Sequence, residues 1–374
     1  MNVNKVKPNG LALLPIIVFL ILFIGVGVVQ KDFYSMPAVI GFLIALAVAF
    51  LQTKGISFNE KISIIAKGVG DDNIITMCLI FLVAGAFSGS VSAAGGVNST
   101  VNLGLSLLPP GIAVIGLFII GCFISISMGT SMGTIAALAP IAMGISEKTD
   151  FPIAICIGAV VSGAMFGDNL SMISDTTIAA VRTQGCDMRD KFRKNFLIVL
   201  PAAIATIVIL FFMTSGAHFT VSKNLDYNIF QVIPYILVLV TALIGLNVFI
   251  VLIGGIAFSV IAGLATGAMK VSQIFTSMGE GATGMYDITV ISILVACISA
   301  LVKYNGGFAF ILENIHKHIH SYKGAEFGVA ALVGLIDCAT ANNTVAIVIA
   351  GPIAKEISDD YGIEPARTAS LLDM

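Results

Sequence analysis

The chain has 374 residues, 57% of them hydrophobic and only 11% charged, and its mean hydropathy is +1.03. Soluble chains carry about 25% charged residues, so a water-soluble globular protein is excluded. Nineteen basic residues against 21 acidic ones leave a formal charge of −2, which gives nucleic acid no footing.

Apolar runs long enough to form bilayer helices, about 20 residues at 1.5 Å rise each, follow one another at 11–29, 36–52, 74–92, 111–128, 135–144, 151–166, 196–213, 229–246, 248–268, 286–303, 327–337 and 344–358. The first, Leu11–Val29, lacks a small-residue cleavage site and reads as a retained spanning helix, not a signal peptide. The segments 54–73 and 270–285 mix polar and apolar residues and suit interfacial amphipathic helices. Asn247 marks a tight turn between two spans. Barrel strands would need short alternating segments, a pattern this sequence does not follow. Five of the six cysteines, Cys78, Cys122, Cys156, Cys297 and Cys338, sit within or beside apolar runs, as small hydrophobes do.

Two regions break the simple pattern. Residues 111–144 are too many for one crossing and carry Gly129-Thr-Ser-Met-Gly-Thr134 in the middle. Residues 151–181 carry Phe166-Gly-Asp-Asn-Leu-Ser-Met-Ile-Ser-Asp-Thr-Thr177. A carboxylate at the centre of a bilayer helix costs about 2.5–3.5 kcal/mol even on lenient scales, so Asp168 and Asp175 demand a reason. Gly167 and the Ser, Asp and Thr side chains favour an interrupted helix, because they compete for backbone hydrogen bonds. Such unwound backbone survives at depth only where protein or a wet cavity covers it.

An internal repeat follows from an offset of 212, which lays Pro140-Ile-Ala on Pro352-Ile-Ala and Ile145-Ser146 on Ile357-Ser358. Nearby offsets match Gly95-Gly96 with Gly306-Gly307 and Pro152 with Pro365, and the polar break Thr130-Ser131 falls on Asn342-Asn343. With 111–144 as a re-entrant hairpin and 151–181 as one broken crossing, fifteen Lys and Arg fall inside. Lys31, Lys148, Lys223 and Lys270 remain outside. That positive-inside bias places the N-terminus in the cytoplasm and makes the repeats inverted.

The predicted fold is therefore an all-α polytopic membrane protein with two inverted repeats, each with a re-entrant hairpin and a broken transmembrane helix. Its parts are a first membrane repeat at 11–213, an external connection at 214–228 and a second repeat at 229–374. The second stops in the first turns of the helix matching 151–181, so it reads as cut short at the C-terminus. This layout is that of a transporter of the cytoplasmic membrane.

Carboxylates, hydroxyls and freed carbonyls at a helix break suit a hard cation or a proton. Burial favours the neutral carboxyl of Asp168 while a bound cation favours the carboxylate, so proton and cation compete. Asp175, Ser171, Ser174, Thr176, Thr177 and Asn169 would add oxygens, with Asp168 and Asp175 the candidate sodium ligands. The competing reading is a pair of helix-capping aspartates. Thr130, Ser131 and Thr134 would face the break from the hairpin. In the second half Asp337 precedes Asn342, Asn343 and Thr344, whose oxygens and amides could hold a cation or an anionic group.

Other features read more plainly. His316, His318 and His320 fit a solvated loop better than a metal site or pH sensor. Gly85 and Gly89, four apart, suggest a close helix contact. The basic run 182–194 fixes orientation and does no chemistry.

Gly167-Asp-Asn-Leu-Ser-Met-Ile-Ser-Asp-Thr-Thr177, with Gly129-Thr-Ser-Met-Gly-Thr134, resembles the NhaC-type sodium/proton antiporter family and, at greater distance, the wider ion transporter superfamily. That family's pattern reads roughly Gly-Asp-Lys-Leu-Ser-Pro-Leu-Ser-Asp-Thr-Thr. The resemblance covers almost the whole chain and implies electrochemically driven sodium/proton exchange. It implies ion binding at Asp168, Ser171, Ser174, Asp175, Thr176 and Thr177. Here Asn169 stands for the lysine and Met172 for the proline, which removes a positive charge beside Asp168.

The leading expectation is a secondary antiporter with no cofactor, carrying sodium and protons, its partners being the bilayer and a small ion; a homo-oligomer is admissible. The second is a sodium- or proton-coupled carrier of an amino acid or carboxylate. An intramembrane aspartyl protease built on Asp168 and Asp337 would need two carboxyls sharing a proton. Its glycine signature is incomplete at Phe166-Gly-Asp, and the surrounding hydroxyls suit an ion better. A channel fits broken, repeated helices less well than alternating access does.

Overall fold

The structure is a computed structural model and describes residues 7–32, 35–106, 112–148, 151–214, 226–244, 246–310, 313, 321–340 and 343–374. All regular structure among them is helical. In chain order the helices are α1 (Leu14–Gln30), α2 (Ala38–Gln52), α3 (Phe58–Val69), α4 (Asp72–Ala93), α5 (Gly96–Ser106), α6 (Ala113–Met128) and α7 (Ser131–Lys148). They continue with α8 (Ile153–Leu170), α9 (Asp175–Gln184), α10 (Met188–Thr214), α11 (Ile229–Ile244), α12 (Val248–Ala265) and α13 (Ile274–Gly284). The last four are α14 (Tyr286–Tyr304), α15 (Tyr322–Thr340), α16 (Asn343–Tyr361) and α17 (Pro365–Asp373).

Among the described residues six stretches are long and apolar enough to cross a membrane: Gly10–Gln30, Ile74–Ala93, Ile153–Gln184, Met188–Thr214, Val248–Ala265 and Tyr286–Tyr304. The chain is an all-α, multi-pass membrane protein. Helix α10 turns Leu197, Ile204, Ile209 and Phe212 outward; exposed apolar side chains of this kind belong against lipid.

The chain divides into two compact units, each assembled from separated segments. One takes Met1–Leu79, Ala179–Asp187 and Tyr286–Met374; the other takes Ile80–Ile178 and Met188–Met285. In the first unit α1 lies on α2, with the rings of Phe19 and Phe42 stacked at 3.9 Å. Helix α14 packs on α2 and α3, and α15 pairs with α16.

In the second unit α6, α7 and α10 all pack on α8 around a core including Leu117, Ile124, Leu138 and Val160. Lipid is as apolar as this core, so close fit rather than water exclusion holds such helices together. The fit between α8 and α6 is close at Gly163 and Gly167, where an added Cβ would lie 2.3 Å from the carbonyl oxygen of Phe118 and 2.5 Å from that of Cys122. Elsewhere in the unit the Ser90 and Ser259 hydroxyls pair at 2.8 Å between α4 and α12. The contact suggested by Gly85 and Gly89 is made with α13, because a Cβ on Gly85 would meet the Gly281 carbonyl oxygen at 2.4 Å.

Parts of the two sequence halves share local geometry. Gly95 and Gly306 both have positive φ, at +80° and +86°, and each donates its N–H three residues back, to Ser92 and Lys303. Pro152 caps α8, and Pro365 opens α17. A helix pair precedes each proline, α6–α7 before Pro152 and α15–α16 before Pro365.

Candidate functional site

Two interruptions build the site, and both lie in the second unit. The first separates α6 from α7 at Gly129 and Thr130. Gly129 adopts φ +71°, and its N–H caps α6 by donating to the Ser125 carbonyl at 2.9 Å. A Cβ there would stand 2.8 Å from the backbone of Ile173. Glycine is thus required twice, for its left-handed turn and for the close approach of tip to break.

The second interruption is Ser171–Ser174, between α8 and α9. Ser171 ends α8, donating its N–H to the Asp168 carbonyl at 3.0 Å. Its hydroxyl donates to the Ile126 carbonyl at 2.8 Å and accepts from the Ile173 N–H at 3.2 Å. Hydroxyl capping of this sort satisfies backbone that unwinding leaves without partners.

Asp168 sits where the two breaks meet, with 6% of its surface exposed. Its Oδ2 accepts from the Ser131 hydroxyl at 3.0 Å and its Oδ1 from the Ser174 hydroxyl at 2.7 Å. Ser174 in turn pairs with Thr176 at 2.9 Å. One carboxylate therefore ties the hairpin tip to the broken helix. Charge-assisted bonds of this length are about twice as strong as neutral ones.

The other predicted residues are placed differently. Thr134 is buried, but its hydroxyl donates to the Thr130 carbonyl, just before its own helix, at 2.8 Å. Thr130 Oγ1 accepts from the Gly133 N–H at 3.3 Å. Asp175 opens α9 and is half-buried. Asp337 is half-buried in α15, and Asn343 opens α16 with Oδ1 accepting from the Thr344 N–H at 3.0 Å. These three residues of the second half belong to the first unit. Asn342 and the three histidines lie outside the described residues.

Lys191 departs from the orienting role expected of the basic run 182–194, because it is buried rather than at the surface. Lys191 is 1% exposed, and its Nζ donates to the Asn169 carbonyl at 2.9 Å and to Thr177 Oγ1 at 2.7 Å. Asn195, one turn on, donates to the same carbonyl at 3.0 Å. The signal was the spacing of Met188, Lys191 and Asn195, which are all buried and share one face of α10 while Arg193 points to the exterior. Neighbours three and four apart share a face.

Two amide oxygens complete the picture. Asn169 donates Nδ2 to the Met165 carbonyl at 3.0 Å, yet Oδ1 of Asn169 and Oδ1 of Asn195 are buried without a hydrogen-bond partner. Orphaned buried acceptors are costly and suit a cation. No group of three or more His, Cys, Asp or Glu that could hold a metal occurs among the described residues.

The model of the Na+/H+ antiporter family matches residues 9–215 and 223–374. The chain belongs to that family. This antiporter is 25% identical to the malate-2H(+)/Na(+)-lactate antiporter of Bacillus subtilis, over 87% of this chain and 77% of that one. It is 24% identical to the Na(+)/H(+) antiporter NhaC of the same organism, over 85% and 78%. Among solved structures the YdaH transporter of Alcanivorax borkumensis shares the fold, with a TM-score of 0.63 over 98% of this chain and 86% of that one, at 11% identity.

Proposed function

We propose that this antiporter exchanges sodium for protons at Asp168, in the cytoplasmic membrane with its N-terminus inside. One observation carries the site: a buried carboxylate hydrogen-bonded by hydroxyls from two helix interruptions, Ser131 and Ser174. Fifteen of 19 Lys and Arg on one side of the predicted topology support the orientation. The parallel between α6–α7–α8 and α15–α16–α17 supports an inverted repeat.

The chemistry follows from the ligands. A hydroxyl can donate to the carboxylate or rotate and present a lone pair. When sodium enters, Ser131 and Ser174 turn their oxygens to it and Asp168 supplies the negative charge. The unpartnered Oδ1 atoms of Asn169 and Asn195 add neutral hard oxygens. When a proton enters, Asp168 becomes neutral and the cation loses its counter-charge. One occupant excludes the other, which is the coupling exchange requires. Lys191 keeps a positive charge beside the break where Asn169 replaces a lysine, and so limits net charge at the site.

A second reading rests on the relative named for malate and lactate: the same coupling could drive a small organic ion. Proteoliposomes subjected to sodium and acid jumps, with and without malate or lactate, separate the two. Sodium alone is expected to dissipate the imposed pH gradient. If only the organic ion does so, sodium/proton exchange is wrong.

A further inference from the structure

The first unit contains a cavity of about 340 Å³ that shares no lining residue with the Asp168 site. That volume falls within the range of about 300–1,000 Å³ typical of small-molecule sites. Its charged lining is Lys67 from α3, Asp71, Arg182 from α9, Lys303 from α14, and Lys355 with Glu356 from α16. Two of the four cations are spoken for: Lys303 pairs with Glu356, and Lys355 pairs with Asp359 at 3.0 Å.

The other two are not. Among the described residues, Lys67 and the Arg182 guanidinium make no side-chain hydrogen bond or ion pair. Arg182 Nε is buried without any partner, and the exposed Asp187 acts on this side chain only through space. Arg182 is held there by its neighbours. Gln184 donates to the Gly351 carbonyl at 3.0 Å, and Thr183 packs so closely on Gly351 that a Cβ there would lie 2.6 Å away.

A buried guanidinium nitrogen with nothing to donate to is costly, and the planar fork of arginine matches carboxylate and phosphate oxygens in pairs. We propose that this cavity binds a small dianion, a dicarboxylate or a phosphate, through Arg182 and Lys67.

Calorimetry on the full chain in nanodiscs of neutral phosphatidylcholine, titrated with succinate and with inorganic phosphate, tests this. Saturable one-to-one binding that weakens with salt is expected. Arg182→Gln and Lys67→Gln should each weaken it by about tenfold or more, the worth of one charged hydrogen bond. Lys31→Gln should leave it unchanged. Discs containing phosphatidylglycerol distinguish a lipid source: lipid retention lost in R182Q, without soluble-anion binding, assigns the phosphate to a headgroup. The Asp168→Asn variant should bind the anion normally, which separates this site from exchange. Affinity unchanged in both R182Q and K67Q overturns the proposal, as does absence of binding in every arm. Lys67 is exposed, so K67Q decides the matter if R182Q fails to fold.

Discussion

The ammonium of Lys191 donates to the carbonyl oxygen of Asn169 at 2.9 Å, one residue beyond Asp168. A positive charge so close opposes a second cation. Lys191→Gln is expected to strengthen apparent sodium affinity by about tenfold, roughly the effect of one nearby like charge, while slowing turnover because release becomes the slow step. Lys191→Arg keeps the charge and should keep affinity near wild type. Initial rates of sodium-driven pH change against sodium concentration distinguish these outcomes; equal affinities in both variants would make Lys191 a structural donor only.

Replacing Asp168 with Asn removes the charge and the titrating proton while keeping the shape. Exchange is expected to vanish, with the protein still inserted and monodisperse. One of the Ser131 and Ser174 hydroxyls can donate to the amide oxygen and the other accept from the amide nitrogen, so the tip and the break should stay together. Wild-type flux in reconstituted D168N would remove Asp168 from the mechanism.

Much of this was legible because bilayer physics is restrictive. Two carboxylates between Phe166 and Thr177 mark a break, since an unbroken helix has no means of satisfying them, and α8 indeed stops at Leu170 before α9 begins at Asp175. The hairpin turn fell between Gly129 and Ser131, as its glycine implied. What did not show was direction. Thr134 and Ser131 are equal as hydroxyls on a sequence line, yet only Ser131 turns toward Asp168. Helix α5 escaped notice because Gly96–Ser106 is short and polar. Lys191 looked like its neighbours Arg193 and Lys194 because charge is a local property and burial is not.

Gly129 combines φ +71° with a space that a Cβ would share with Ile173 at 2.8 Å. Gly129→Val should cost at least about 1–2 kcal/mol for the left-handed backbone alone, and the clash must also push the hairpin tip off the break. The expected result is a lowered melting temperature together with loss of exchange. Gly158→Ala on α8, where nothing lies within 4 Å of an added Cβ, serves as the control and should leave both unchanged.

Ser131 and Thr134 lie one turn apart on α7 and separate the site from its scaffold. The Ser131 hydroxyl is committed to Asp168 at 3.0 Å, so Ser131→Ala removes both a donor to the empty carboxylate and an oxygen for sodium. Losing one oxygen contact to the ion, worth about as much as a hydrogen bond to a charged group at about 1.5–3 kcal/mol, outweighs the lost donor and corresponds to about tenfold or more in half-saturating sodium. Thr134 spends its hydroxyl on the Thr130 carbonyl, a bond from the first turn of α7 back to the interruption that helps shape the turn. Thr134→Val should therefore cost stability by about 1 kcal/mol with sodium dependence unchanged. Sodium titrations of exchange paired with thermal melts read both effects. If T134V shifts the sodium dependence as far as S131A, the oxygens around the ion come from α7 as a whole, and the pairing of Ser131 with Asp168 no longer defines the site.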